Sequence, residues 1–173
     1  VITPFNQTLF TSTSAVCVTG LAVLDTGSYW SVFGQVVILL LIQIGGLGVV
    51  TVAVSVFMLS GRKISLMQRS TMQNAISAHK VGGIVRLTKF ILKGTLFIEM
   101  AGALALLPVF YHDFGRKGIW MAVFHSISAF CNAGFDILGT PANPFPSITA
   151  YAGNPIVNVV IMFLIIAGGI GFL

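Results

Sequence analysis

The stretch 13-TSAVCVTGL-21 returns, worn but readable, as 127-ISAFCNAGF-135. Ser14, Ala15, Cys17 and Gly20 recur as Ser128, Ala129, Cys131 and Gly134, at a constant offset of 114 residues. Neither copy carries the periodicity of a helix face or of a half-buried strand. A small, polar, glycine-containing nonamer kept twice in an apolar chain points to one backbone conformation needed at two related places.

The chain around the two copies sets their solvent. Of 173 residues, 56% are hydrophobic and 8% charged, and the mean hydropathy is +0.99. Soluble domains carry about 25% charged residues. A chain this poor in charge cannot cover a folded surface with polar groups, so the reading is an integral membrane protein. The net charge is +5, and seven of the nine basic residues fall between 61 and 93: Arg62, Lys63, Arg69, Lys80, Arg86, Lys89 and Lys93. No acid lies in that window. A run of this kind beside apolar segments marks a cytoplasmic loop under the positive-inside rule. Nucleic acid is excluded as its partner, because no stacking aromatics interleave with the charges.

The apolar runs follow from there. Residues 34–60 are free of charge over 27 positions, roughly 40 Å of helix, enough to cross a hydrocarbon core of about 30 Å. The run ends at 61-GRK-63, so it should descend from outside to inside. A short interfacial helix is expected over 65–78, then a turn at Gly82-Gly83. Residues 94–111 should climb back, with 85–90 extending that helix into the interface, and 112-HDFGRKG-118 should form an outer loop. The segments 4–15 and 119–130 are each 12 residues, roughly 18 Å as helix and too short to span. Both run into the repeated nonamer, so both read as re-entrant half-helices. Thr3 is placed to cap the first, with Pro4 at its first helical position. Residues 139–155 are rich in Pro and Gly and read as an outer loop; a third membrane helix should run from Pro155 to the chain end. The motif 45-GGLGVV-50 returns as 168-GGIGFL-173. The chain therefore reads as two similar units, an all-α integral membrane protein of pore-loop repeats: membrane helix, re-entrant half-helix plus filter strand, membrane helix. The expected divisions are 1–60, the cytoplasmic loop 61–93, and 94–173.

Physics suggests what the nonamer does. The C-terminus of a half-helix ending mid-membrane carries about half a negative charge, which favours a cation. Backbone returning from that depth must line a wet cavity inside protein, where its carbonyls can replace the hydration shell of an ion. Gly20 and Gly134 supply the positive φ that lets successive carbonyls turn the same way. Val18, Thr19 and Gly20, with Asn132, Ala133 and Gly134, are the candidate carbonyl donors. Neither copy carries a charge, which favours a monovalent cation.

These motifs in this order (S-A-x-C-V-T-G-L, Q-I-G-G-L-G, 61-GRKISL-66 and 125-HSISAFCNAGFDILG-139) resemble the Ktr/Trk/HKT superfamily of potassium transporters, and most closely its bacterial membrane subunits. The resemblance covers essentially the whole chain. It implies four repeats around a central pore, each giving one filter strand with a key glycine. Gly20 and Gly134 match those glycines, and glycine rather than serine at the first matches the potassium type. It further implies a homodimer and a cytosolic nucleotide-binding regulatory subunit of the KtrA/TrkA type, which the basic loop 61–93 faces. Sodium as a coupling ion is left open, and no cofactor is implied. On this resemblance the chain holds the end of the first repeat and most of the second. It is expected to be part of a longer protein, since two filter strands stand where the family has four.

Other residues bear on rival functions. Glu99 is the sole acid within an apolar segment; a salt bridge or a snorkelling position near the cytoplasmic face is favoured over an ion site. Asp25 and Asp136 follow the two nonamers and either enrich cations or brace loops. His125 reads as a packed, hydrogen-bonded histidine, and Gly45, Gly46 and Gly48 as close helix packing. Cys17 and Cys131 are repeat equivalents, so symmetry allows a disulfide between them. The four acids are scattered and propose no nucleophile–base pair, which argues against an enzyme. A subunit of an ordinary tetrameric channel is the nearest rival. Two unlike motifs in one chain argue against it.

Overall fold

The computed structural model describes residues 3–48, 51–52, 55–56 and 84–171. Among them the structure is helical, with no β-strand and a single isolated bridge, Thr140 to Asn143. The chain clusters into two compact units, Val1–Gly46 with Ile98–Leu173, and Leu47–Phe97. The expected interfacial helix at 65–78 and the Gly82-Gly83 turn lie outside the described residues.

Helix α1 spans Phe5–Val16. Thr3 was expected to cap it; instead Pro4 occupies the cap position with no side-chain bond, and its carbonyl accepts from Gln7 N and Thr8 N at 3.1 and 3.2 Å. The many hydroxyls of α1 fold back on their own helix: Thr8 Oγ1 donates to Pro4 O, Thr11 Oγ1 to Gln7 O and Ser12 Oγ to Leu9 O. Such back-bonding lets a Ser/Thr-rich helix sit away from water.

Helix α2 spans Val32–Leu47. The 27-residue apolar run does not form one uninterrupted helix. At 16 residues α2 is about 24 Å long, and Gly48 follows it at φ 78°. Helix α3 spans Ile84–Phe114. Its Arg86–Phe114 portion is the one helix, among the described residues, long and apolar enough to cross a membrane. It takes in residues 112–114 of the expected 112–118 loop, and the next helix takes in 116–118. Only Gly115 separates α3 from α4, Arg116–Phe130, because Gly115 turns the chain at φ 58°. Helix α5, Pro155–Ile170, is again 16 residues. Asn154 caps it by accepting from Ile156 N and Val157 N, with Pro155 at the first helical position. Its end, like that of α2, meets a glycine at positive φ, Gly171 at 74°. The two Gly-Gly-x-Gly motifs thus end their helices in the same way.

In the larger unit the core joins Ala15 of α1, Ile38, Leu39 and Ile42 of α2, Phe124, Ala129 and Phe130 of α4, and Leu164 of α5. Alternate residues after α4 (Cys131, Ala133, Phe135 and Ile137) also enter it. That period of two marks an extended segment with one covered face. In the smaller unit the described part of α3 carries Thr88, Ile91 and Thr95 buried.

Candidate functional site: two matched helix ends

The two nonamers adopt the same backbone. Helices α1 and α4 both end at a cysteine in right-handed conformation, Cys17 at φ −79° and Cys131 at φ −73°. The next residue is left-handed in each: Val18 at 55° and Asn132 at 58°. Val18 N donates to Ala15 O at 3.2 Å and Thr19 N to Ser14 O at 3.0 Å. Asn132 N donates to Ala129 O at 3.0 Å and Ala133 N to Ser128 O at 2.8 Å. This paired closure is the Schellman helix stop. Thr19 and Ala133 return to negative φ, and Gly20 at 74° and Gly134 at 71° are left-handed again. The sign of φ therefore alternates positive, negative, positive over both Val18–Gly20 and Asn132–Gly134. Sequence reasoning assigned positive φ to the glycines alone and missed Val18 and Asn132. Asn132 carried a signal, since asparagine tolerates left-handed backbone; a β-branched valine there is an outlier.

The two segments also meet. A Cβ on Gly20 would lie 2.5 Å from Ala133 O, and one on Gly134 would lie 3.7 Å from Gly20 Cα. Each is held by a different side chain. Thr19 Oγ1 donates to Ser14 Oγ at 2.9 Å and approaches Ser14 O at 3.2 Å. The second copy has alanine there, and Ser128 Oγ donates instead to Phe135 O at 2.6 Å. Asn132 turns its amide toward Ile165 O at 3.3 Å. Behind the second segment lies a cavity of about 210 Å³, reached by His125, Ser128, Asn132, Gly134 and Asp136.

The Gly-Gly-x-Gly motifs support these ends. A Cβ on Gly45 would run into the carbonyl of Val16, the last residue of α1. A Cβ on Gly168 would run into the carbonyl of Phe130, the last residue of α4. The expectation of close packing for Gly45 and Gly46 is met in this form, with Gly46 against Cys131. Gly48 has no neighbour within 4 Å of such a Cβ and serves through its φ.

The remaining candidates separate. Asp25 is a brace: its carboxylate accepts from Ser28 N at 2.7 Å, Ser28 Oγ at 2.5 Å and Phe145 N at 3.0 Å. It thereby ties the turn after the first segment to the loop after the second. Asp136 accepts from Leu138 N at 3.2 Å, and burial raises its carboxyl above the usual range, with Asp25 adding to the effect. Gln35 holds the same end, with Nε2 near the carbonyls of Thr26, Gly27 and Trp30 while Oε1 accepts from Trp120 Nε1 at 2.8 Å. His125 is packed, as expected, against Phe110 and Phe124, with Nδ1 2.7 Å from Met121 O.

Two expectations are corrected. Cys17 and Cys131 are both free thiols; Cys17 is exposed and Cys131 is buried against α2. Glu99 forms no salt bridge among the described residues, where the single ion pair is His112 to Asp113. It is 4% exposed and takes both hydrogen bonds from Gln43 Nε2, at 2.8 and 2.7 Å. The partner lies 56 positions away, beyond the reach of any local pattern.

Comparison with known proteins agrees with the resemblance seen in the sequence. The chain is 44% identical over 172 residues to the potassium/sodium uptake protein NtpJ of Enterococcus hirae, covering 99% of this chain and 37% of that protein. It is 47% identical over 165 residues to the Ktr system potassium uptake protein B of Bacillus subtilis, covering 95% and 36%. It is 36% identical over 168 residues to the protein of the same name in Vibrio alginolyticus, covering 96% and 36%. The chain thus spans little more than a third of these relatives. The family model described as cation transport protein, TrkH, matches residues 2–173. The family is one of membrane transporters rather than enzymes, and the chain belongs to these TrkH cation transport proteins.

Proposed function

We propose that the chain supplies two of the carbonyl-lined segments through which a potassium transporter passes its ion. The observation that carries this reading is the alternation of φ, positive, negative, positive, shared by Val18–Thr19–Gly20 and Asn132–Ala133–Gly134. In this reading that alternation turns successive carbonyls toward one side, where they can take the place of water around a dehydrated cation. The two copies follow half-helices whose C-terminal dipoles favour positive charge. Three relatives carry potassium uptake in their names, which supports the choice of ion, and the potassium/sodium name of one suggests sodium as a second ion.

In this reading each repeat comprises a membrane helix, a re-entrant half-helix with its filter segment, and a membrane helix. The divisions are 1–60, 61–93 and 94–173. The filter mouths face outside, and the basic loop 61–93 lies in the cytoplasm, where a KtrA/TrkA-like nucleotide-binding subunit would dock. The pore is completed by the rest of a longer chain, which works as a homodimer.

The test is potassium uptake by the full-length parent protein in a host lacking its own potassium transport. Rescue that Gly134→Ser weakens, at equal membrane abundance, is the expected result. Failure of the parent protein to rescue would sink the reading. Thr19→Ala should retain transport, because backbone rather than hydroxyl oxygens contact the ion; its complete loss would do the same damage.

A further inference from the structure

The two filter segments share a backbone but not an anchor. Thr19 fastens the first through its hydroxyl to Ser14. Ala133, in the equivalent place, has no hydroxyl. Ser128 secures the far end of the second segment at Phe135 O, and its near end meets a chain of three side chains from three helices, which the first segment lacks among the described residues. Cys131 caps α4 immediately before Asn132, and its thiol donates to Gln43 Oε1 of α2 at 3.2 Å. Gln43 Nε2 donates to both carboxylate oxygens of Glu99 on α3, at 2.8 and 2.7 Å.

The order of donors and acceptors makes this chain directional. A carboxylate only accepts, so Glu99 compels Gln43 to present its NH₂. The amide oxygen is thereby left facing Cys131, whose thiol is the donor available to it. Both carboxyl oxygens of Glu99 face the Gln43 amide nitrogen, so the orientation of the amide is set from the acid outward. Backbone contacts hold the same corner. Gly46 allows α2 to press against the Cys131 side chain, and Ser126 Oγ of α4 donates to Glu99 O at 2.6 Å. Cys17, the repeat equivalent of Cys131, is exposed.

We propose that Glu99, acting through Gln43 and Cys131, is the positioning residue of the second filter segment. It sets where the carbonyls of Asn132–Gly134 stand and hence the preference of the pore for potassium over sodium. The inference rests on the filter reading above and adds to it an ion-selectivity role for a buried acid that touches no ion.

The experiment measures the potassium-to-sodium uptake ratio of the full-length protein in variants of matched membrane abundance. Cys131→Ala should lower the ratio about threefold to tenfold, the change that corresponds to one lost neutral hydrogen bond. Cys131→Ser, which restores a donor, should return it to within about twofold of the parent by the same reasoning. Gln43→Glu alone should lower the ratio further, and adding Glu99→Gln should recover most of that loss, since the pair is then remade in reverse. Where Glu99 and Gln43 variants fail to reach the membrane, the alanine and serine variants of Cys131, differing by one atom, decide the matter. An unchanged ratio in Cys131→Ala, or equal ratios in Cys131→Ala and Cys131→Ser, overturns the inference. Gly134→Ser run in parallel separates the two claims. If it weakens uptake while Cys131→Ala changes nothing, the anchor is wrong and the filter stands. If neither changes uptake or ratio, the filter reading falls and the inference falls with it.

Discussion

Gly20 and Gly134 are repeat equivalents, yet a methyl group added to each should have unequal effects. Gly20→Ala places a Cβ 2.5 Å from Ala133 O. Ordinary contact begins near 3.4 Å, so that carbonyl or its neighbour must move by about 0.9 Å. The obstacle is backbone, held by the hydrogen bond from Ala133 N to Ser128 O, and cannot rotate away as a side chain would. To this is added the cost of left-handed backbone for an L-residue, about 1–2 kcal/mol. Gly134→Ala bears the second cost but not the first, since its Cβ finds Gly20 Cα at 3.7 Å. Gly134→Ala should therefore reduce potassium uptake by about 5–30-fold, from the strain alone. Gly20→Ala should reduce it by at least a further tenfold, about 1.4 kcal/mol for the displaced carbonyl. The assay is initial uptake rate in a transport-deficient host, normalised to protein in the membrane. If Gly20→Ala transports as well as Gly134→Ala, the argument from close approach is wrong.

Three further outcomes are expected. Val18→Asn places a residue tolerant of left-handed backbone at φ 55° and should stabilise the purified full-length protein by about 1 kcal/mol; a lower thermal midpoint than the parent's would contradict the strain. Gly45→Ala and Gly168→Ala, which drive a methyl into the last carbonyls of α1 and α4, should each cost about 1–3 kcal/mol by overpacking. Gly48→Ala, with open space around it, should lose only the backbone term, and equal midpoints for all three would refute the distinction. Asp136, whose carboxyl is raised by burial, binds its proton more tightly folded than unfolded. Its contribution to stability is thus fully present below its ordinary carboxylate pKa and is lost as pH rises through the raised value. Asp136→Asn should flatten that decline in thermal midpoints across the acid-to-neutral range, and parallel curves for the two proteins would exclude it.

What could be read from the sequence was what repeats or what composition controls. Charge content alone sets the class, and the 114-residue offset locates both helix ends before any coordinate is known. The places where reading stopped have a common cause. Hydropathy records how apolar residues 34–60 are but not where the backbone turns, so the end of α2 at Leu47 was hidden inside one apolar run. The loop expected at 112–118 looked polar, yet a single glycine at positive φ suffices to join α3 and α4. Glu99 seemed to need a cation because its neutral partner lies on another helix. Symmetry suggested pairing Cys17 with Cys131, but equivalent positions in two repeats need only similar surroundings, not contact.

The unequal fastening of two equal backbones has a consequence of its own. In an assembly of identical chains, any substitution alters every wall of the passage at once. Here Thr19 fastens one segment and Ser128 the other, so in the proposed filter a single codon would retune one side while its counterpart keeps its shape. Duplication within one polypeptide would thus make each side of the proposed passage separately adjustable, and that passage need not be as symmetric as the ion it admits.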